Sequence, residues 1–496
     1  MKGFETLATG FYREHGLALH HIESFNDFLE NKLQQIINEN QIVEPTLPPP
    51  GIEEYKIKLD KIHLEKPISK EADGSIERIF PLESRMRNLT YSVPIWLDTI
   101  VIRDDIEDDP VRVNIGNLPV MVKSNICPLS KMTEAELIDI GEDPLDPGGY
   151  FIINGTERVL ISIEDLTPNR LLLERKNKGP ITSIGRLFSE RRGYRVPHLF
   201  ERRRNGVVTL TFARVTKIPA IIILRALGLE TDEQVVKAIE PHQRTMEDMY
   251  INLEEGAETP TTEDALDYIG RHMRIGQGRE YRVQRVSQIL DTYLLPHIGQ
   301  NPNQRISKAH HIAKMMRRVV NLHFNLVDEN DKDHYANKRL KLAGDLMESL
   351  FRVSFRVLIN DIKYNFSRVA KRGKEPSIAT IVRSALLTSR VESALATGNW
   401  VGGRRGISQH LQRLNFMDTL SHLRRVLSPL TTSQPHFEAR ELHPTHWGRL
   451  CASETPEGQN IGLRKNLALF ARLTRDEDDK TILQELYNAG VKPVEE

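Results

Sequence analysis

What most constrains the fold is that the hydrophobic period changes repeatedly along one chain of 496 residues. Residues 17–40, LALHHIESFNDFLENKLQQIINEN, place Leu19, Ile22, Phe25, Phe28, Leu29, Leu33, Ile36 and Ile37 at the spacing of an amphipathic helix. EPTLPPPG (44–51) breaks it. From 54 to 125 the period drops to two, as in EYKIKLDKIHL and VRVNIGNLPVMV, which predicts strands. DPLDPGGYFIING (143–155) sets turn residues around a short apolar strand, a hairpin pattern. Strand texture continues over 167–215, and 216–360 turns helical, for example in KAHHIAKMMRRVVNLHF and RLKLAGDLMESLFRVSFRVLIN. After 395 the sequence is dense in turns, and DEDDKTILQELYNAGVKPVEE reads as one capped helix. These segments predict an α+β chain of two to four domains, at about 100–200 residues each.

Charge narrows the function. Lys+Arg and Asp+Glu both number 68, so the chain is neutral. Neutrality argues against a free-standing nucleic-acid coat, and against an extreme halophile. It allows a subunit that shows one basic face within an assembly. The two cysteines, Cys127 and Cys451, form no CxxC, which excludes a disulfide framework and disfavours a zinc ribbon. The N-terminus lacks an apolar signal core, and no apolar run approaches the roughly 18 residues of a membrane span. A cytoplasmic chain without membrane contact is expected.

No complete catalytic set is present. The acidic runs RDDIEDDP (103–110), DENDKD (328–333) and RDEDDK (475–480) lack the apolar strands that would hold metal ligands rigid, and read as solvated loops. There is no GxxxxGK(S/T) and no GxGxxG. His443, His446 and Cys451 offer three metal ligands without a fourth, and His310 and His311 face different sides of a helix. Cys451 has no defensible base beside it. In CASETPEGQN (451–460), Glu454 and Glu457 flank Thr455-Pro456, with Gly458 permitting a turn. They suit either general acid/base work or bracing of a loop through backbone N–H groups, Arg449 or Arg464, and bracing is the stronger reading. Between 186 and 204, seven arginines interleave with Phe188, Tyr194 and Phe200. That pattern fits a nucleic-acid face or, more simply, a solvated hairpin.

LHPTHWGRLCASETPEGQNIGL (442–463) closely resembles the fork region of the second-largest subunit of multisubunit DNA-dependent RNA polymerases. ESRMRNLTYSVP (83–94), GNLPVMVKSNICPL (116–129), GGYFIINGTERVLI (148–161), IPAIIILRALG (218–228), DKDHYANKRLKLAGDL (331–346), ALATGNW (394–400) and TLSHLRR (419–425) resemble the same family in the same order, on its archaeal and eukaryotic side. The resemblance implies a protrusion over 1–166 and 339–398, an inserted lobe over 167–338, a fork over 399–475, and a C-terminal helix over 476–496 that meets a partner fragment. It implies the N-terminal piece of the split subunit of some archaea, with a methanogen-like source.

The resemblance also implies roles for particular residues. Glu454, Glu457 and Asn460 would line the active centre, with Glu457 positioning rather than binding metal. Arg404 and Arg405, in the first fork loop GNWVGGRRG (398–406), would meet phosphates. Arg424 and Arg425 would face the RNA–DNA hybrid or brace the fork. Gln434, His436 and Arg440 belong to the second fork loop, TTSQPHFEAR (431–440), near the parting DNA strands. Thr431, Gln434 and His436 stand there where family members often carry a basic residue. Gln409, His422 and Arg425 match the bacterial rifamycin-binding segment, but Gln412 and Leu427 replace an acid and a hydroxyl residue, so rifampicin is not expected to bind. The implied partners are the largest-subunit fragments, the C-terminal B fragment, assembly subunits, general transcription factors, the DNA template and the hybrid. No cofactor is expected on this chain. Mg2+ would sit in the assembled enzyme on ligands from other subunits, and the isolated chain would be inactive.

Overall fold

The computed structural model describes residues 2–45, 52–70, 73–373, 377–474 and 479–491. The Pro-rich break at 46–51 and residues 475–478 of the last acidic run lie outside the described residues. The chain divides into two compact units, one made of 1–165 with 340–496 and one of 166–339.

The first unit is built on an antiparallel sheet in which Ser92–Arg103 pairs with Tyr55–Leu64 on one side and Val111–Pro119 on the other. Tyr55–Leu64 and Ser92–Arg103 alternate buried with partly buried residues over much of their length, as the period of two requires. The predicted 17–40 helix runs from Leu19 to Glu39, with a π turn at Phe28–Lys32 in its middle. It packs against Ala343–Ala370, whose Leu346, Met347, Leu350, Phe351, Phe355, Leu358, Ile359, Ile362 and Phe366 recur at helical spacing and are buried. Phe28 meets Phe351 with ring centroids 6.2 Å apart. Gly344 lies so close to Ser24 that any side chain would clash, and its N–H donates to Ser24 Oγ at 3.0 Å. The expected hairpin at 143–155 forms from Phe151–Ile153 and Thr156–Leu160. Its turn is Asn154-Gly155, both at positive φ. An amphipathic helix at Lys2–Glu14 was not expected from the sequence.

In the second unit, five antiparallel strands follow in chain order: Leu172–Arg175, Ile181–Arg191, Tyr194–Arg203, Val208–Phe212 and Val215–Pro219. Arg192 and Gly193 make the tight turn of its long hairpin at φ 52° and 68°. The helices after Pro219 cover the sheet, and every residue of Ala220–Ala226 is buried.

Within the first unit, two small sheets attach the last segment of the chain to residues before 167. Ser408–His410 pairs with Thr156–Leu160. Arg425–Leu427 runs parallel to Ser162–Leu166 and antiparallel to Arg464–Asn466.

Candidate nucleic-acid interface

Regular structure is scarce after residue 399, so side-chain hydrogen bonds set the shape there. The 451–461 turn begins where Cys451 N–H donates to the Asn466 carbonyl at 2.9 Å. Thr455 Oγ1 donates to the Arg464 carbonyl and accepts the Gly462 N–H, both at 2.9 Å. Glu454 accepts Ser421 Oγ at 2.5 Å, and Asn466 Nδ2 donates to both the carbonyl and the hydroxyl of Ser421. Glu457 is exposed and precedes the 3-10 turn Gly458–Asn460, which carries half-buried Asn460. Of the two acids, Glu454 makes a bracing bond, to Ser421, and Thr455 supplies a further anchor of the turn. Arg464 contributes its carbonyl, and the Arg449 guanidinium turns to Thr445. The sequence showed the acids but not which donors converge on them.

Arg440 ties this turn to the preceding loop. Its five N–H groups reach the carbonyls of Thr432, Gln434, Pro435, Gln459 and Ile461 at 2.7–3.3 Å. Gly462, at φ 68°, fits only because it has no Cβ, which would run into the Arg440 backbone. Gln434 is exposed, and His436 sits in the left-handed region at φ 34°.

The other basic residues divide by burial. Arg424 is buried and donates to the carbonyls of Leu17, Ala468 and Leu469, and burial lowers its pKa. Arg425 is half-buried and donates to Gln412 Oε1 at 3.2 Å. Burial and then the neighbouring Arg464 charge lower its pKa. Arg404 pairs with Asp165 at 2.7 Å, whereas Arg405 beside it is exposed. Gln409, Gln412, His422 and Arg425 are brought together: His422 Nδ1 accepts the Gln412 N–H and its Nε2 meets Gln409 Oε1. Burial, aided by Arg425, holds the His422 pKa down to about 4.

The remaining candidates are engaged by partners of their own. His443 and His446 lie 6.0 Å apart between ring centroids, and His446 Nδ1 is taken by the His443 N–H. On the 186–204 hairpin, Arg202 is buried and bidentate to Asp248 at 2.5 and 2.8 Å. Arg195 covers the Phe188 ring at 4.2 Å, and Phe200 belongs to the core. The DENDKD run is tied down locally, with Asn330 capping the Leu173 N–H and Lys332 paired with Glu174. Sequence reasoning missed Arg413, which binds Asp146 and Glu157. It also missed Glu164 and Asp165. Their signal was available, since two acids interrupt an apolar strand in VLISIEDL.

Comparison with known proteins decides which family the chain belongs to. Residues 16–389 match the family described as RNA polymerase beta subunit. Residues 409–473 match RNA polymerase Rpb2, domain 3. The chain belongs to the RNA polymerase β-subunit family.

It is 48% identical to the DNA-directed RNA polymerase subunit Rpo2N of Methanocaldococcus jannaschii, covering 98% of each chain. It is 44% identical to Rpo2N of Halobacterium salinarum, over 98% of this chain and 96% of that one. Against Rpo2 of Saccharolobus shibatae it is 46% identical over 98% of its own length and 43% of the relative's. These relatives agree with the expected N-terminal part of a split archaeal second-largest subunit. The chain is a subunit of a DNA-directed RNA polymerase, a nucleotidyltransferase, and acts in transcription with other polymerase subunits.

The family implies Mg2+ in the assembled enzyme. The donors among the described residues do not fit it. Glu454 is engaged by Ser421, and among the described residues no three His, Cys, Asp or Glu side chains gather to hold a metal. Among the described residues, no helix is long and apolar enough to cross a membrane.

Proposed function

We propose that residues 399–475 line the DNA cleft and active centre as the fork of the polymerase. In this reading 1–166 and 339–398 form the protrusion and 167–338 the inserted lobe. The compact unit at 166–339 supports that division. Glu454, Glu457 and Asn460 face the active centre, and Glu457 positions rather than binds metal. Arg405 and Arg425 are the phosphate contacts. Arg404, Arg424 and Arg440 hold the loops in place, consistent with their intramolecular partners. Gln434 and His436 present polar edges to DNA at the second loop.

The observation that carries this reading is the 451–461 turn. It projects Glu457 into solvent while Thr455, Glu454 and Arg440 fix its base. A solvated loop has no need of so many converging bonds. The catalytic aspartates and their Mg2+ come from other subunits, and transcription factors dock on the lobe and protrusion. The C-terminal helix Asp479–Asn488 leaves Ile482, Leu483, Leu486 and Tyr487 exposed, which suits contact with the C-terminal B fragment in the cytoplasm.

Reconstitution tests the reading. The chain combined with the remaining subunits should support promoter-independent RNA synthesis, and E457A should lower the addition rate without loss of assembly. An E457A enzyme as fast as wild type would remove the turn from the active centre.

A further inference from the structure

The turn that presents Glu454 and Glu457 ends in a strand of only three residues, Arg464–Asn466. Its ladder partner, Arg425–Leu427, is equally short, and pairs Arg425 with Asn466, Val426 with Lys465 and Leu427 with Arg464. So few rungs specify register weakly. A slip by one residue would turn every side chain of the strand to the other face. Something else has to fix the register.

Lys465 is the residue placed to do it. It reaches past the central strand to Glu164, on Ser162–Leu166, with Nζ at 2.9 and 3.2 Å from the two carboxylate oxygens. Both side chains are buried, at 8% and 2% exposure. A buried ion pair is poor evidence for stability, because desolvating two charges consumes most of what their attraction returns. It does discriminate sharply between alignments, since a slipped strand turns Lys465 away from Glu164 and breaks the pair. The residues flanking Lys465 carry the register onward. The Arg464 carbonyl receives Thr455 Oγ1, and Asn466 Nδ2 holds Ser421, which holds Glu454.

We propose that Glu164 and Lys465 are positioning residues for nucleotide addition, acting as a register lock that sets the height of the 451–461 turn. This rests on the reading that the turn lines the active centre. Glu164 lies far away in sequence, in the first part of the unit, and meets the strand that ends the turn through Lys465.

The test uses the reconstituted polymerase and three forms of this chain: wild type, E164L/K465M and the swap E164K/K465E. The apolar pair removes the lock without stranding a charge, so thermal stability and assembly should be kept. Nucleotide addition at saturating substrate should fall about tenfold to a hundredfold, the scale on which a displacement near 1 Å acts, with KM little changed. The swap should recover most of that loss, which a merely structural role does not predict. An E164L/K465M enzyme that adds nucleotides at the wild-type rate overturns the proposal. So does one that fails to assemble, which would make the pair a folding element, and so does a swap as slow as the apolar pair. A wild-type reconstitution that assembles but makes no RNA would instead overturn the functional reading on which the lock depends.

Discussion

The inserted unit and the last segment of the chain are held together by different physics. In the 166–339 unit, the meander and its helices close over one apolar cluster that includes Phe200, Phe212, Ile221, Leu224, Met316 and Val319. Buried charges there are met by partners, Arg202 by Asp248 and Lys308 by the Leu290 and Asp291 carbonyls. In the last segment few side chains reach a core, among them Trp400, Ile407, Leu411 and Leu423. Trp447 is 90% exposed and Leu414 88%, and Met417, Phe437 and Leu442 are exposed as well. The shape there comes from side-chain bonds to backbone, with Arg440 alone serving five carbonyls. A unit that buries its own apolar surface has the means to fold by itself. A segment that leaves several large apolar side chains outside and fixes its loops with polar anchors is shaped for neighbours.

The largest test of that contrast is D248A. It strands the Arg202 guanidinium in the inserted core, and should cost about 3–5 kcal/mol in urea unfolding of the chain. A loss within about 0.5 kcal/mol would mean the ion pair is not structural, and the contrast would weaken.

Acid probes the same unit. Burial holds His198 and His297 down to about 4, below the usual 6.5 of an unfolded histidine. The folded state therefore binds fewer protons than the unfolded one. Their contribution is complete above pH 6.5 and is lost as pH falls toward 4, with a slope of at most about 2.7 kcal/mol per pH unit for the two. Urea midpoints at pH 7, 6, 5 and 4.5 measure it. H198F should flatten that slope, and an unchanged slope would exclude His198 as a source.

The last segment should respond differently. R440A removes the five carbonyl contacts, and should raise hydrogen exchange at 431–435 and 459–462 by about 1–3 kcal/mol of local opening. The inserted unit should unfold as before. A global loss in place of the local one would erase the distinction between the two regions. The smallest stability effect belongs to R405A, expected within about 0.5 kcal/mol of wild type. In the assembled enzyme it should lower the salt slope of nucleic-acid binding by about one phosphate.

The two regions also differed in how far they could be read from the sequence. Period and turn residues exposed the 17–40 helix, the 143–155 hairpin and the helical run after 216, because each is a local pattern. Helix Lys2–Glu14 escaped because Phe4 and Leu7 are exposed and its contacts are remote, with Tyr12 Oη donating to the Leu469 carbonyl. At the candidate site, the motif gave the position of the turn but not its support. Arg404 was expected to meet phosphate, Arg424 to face the hybrid or brace the fork, and Arg440 to lie near the parting strands; sequence displays each guanidinium without the carboxylate or carbonyls it binds in the fold. Glu164 and Asp165 bind Lys465 and Arg404 across a separation that no local pattern spans.

The central claim is that this chain acts as one part of a polymerase, with its last segment completed by others. Native affinity purification of the tagged chain, with mass spectrometry and an RNA synthesis assay on the eluate, tests it most directly. The account predicts recovery of the largest-subunit fragments and a separate C-terminal B fragment, together with promoter-independent RNA synthesis that the isolated chain lacks. A lone, monodisperse chain from native extract, with no polymerase subunits and no synthesis, would contradict it.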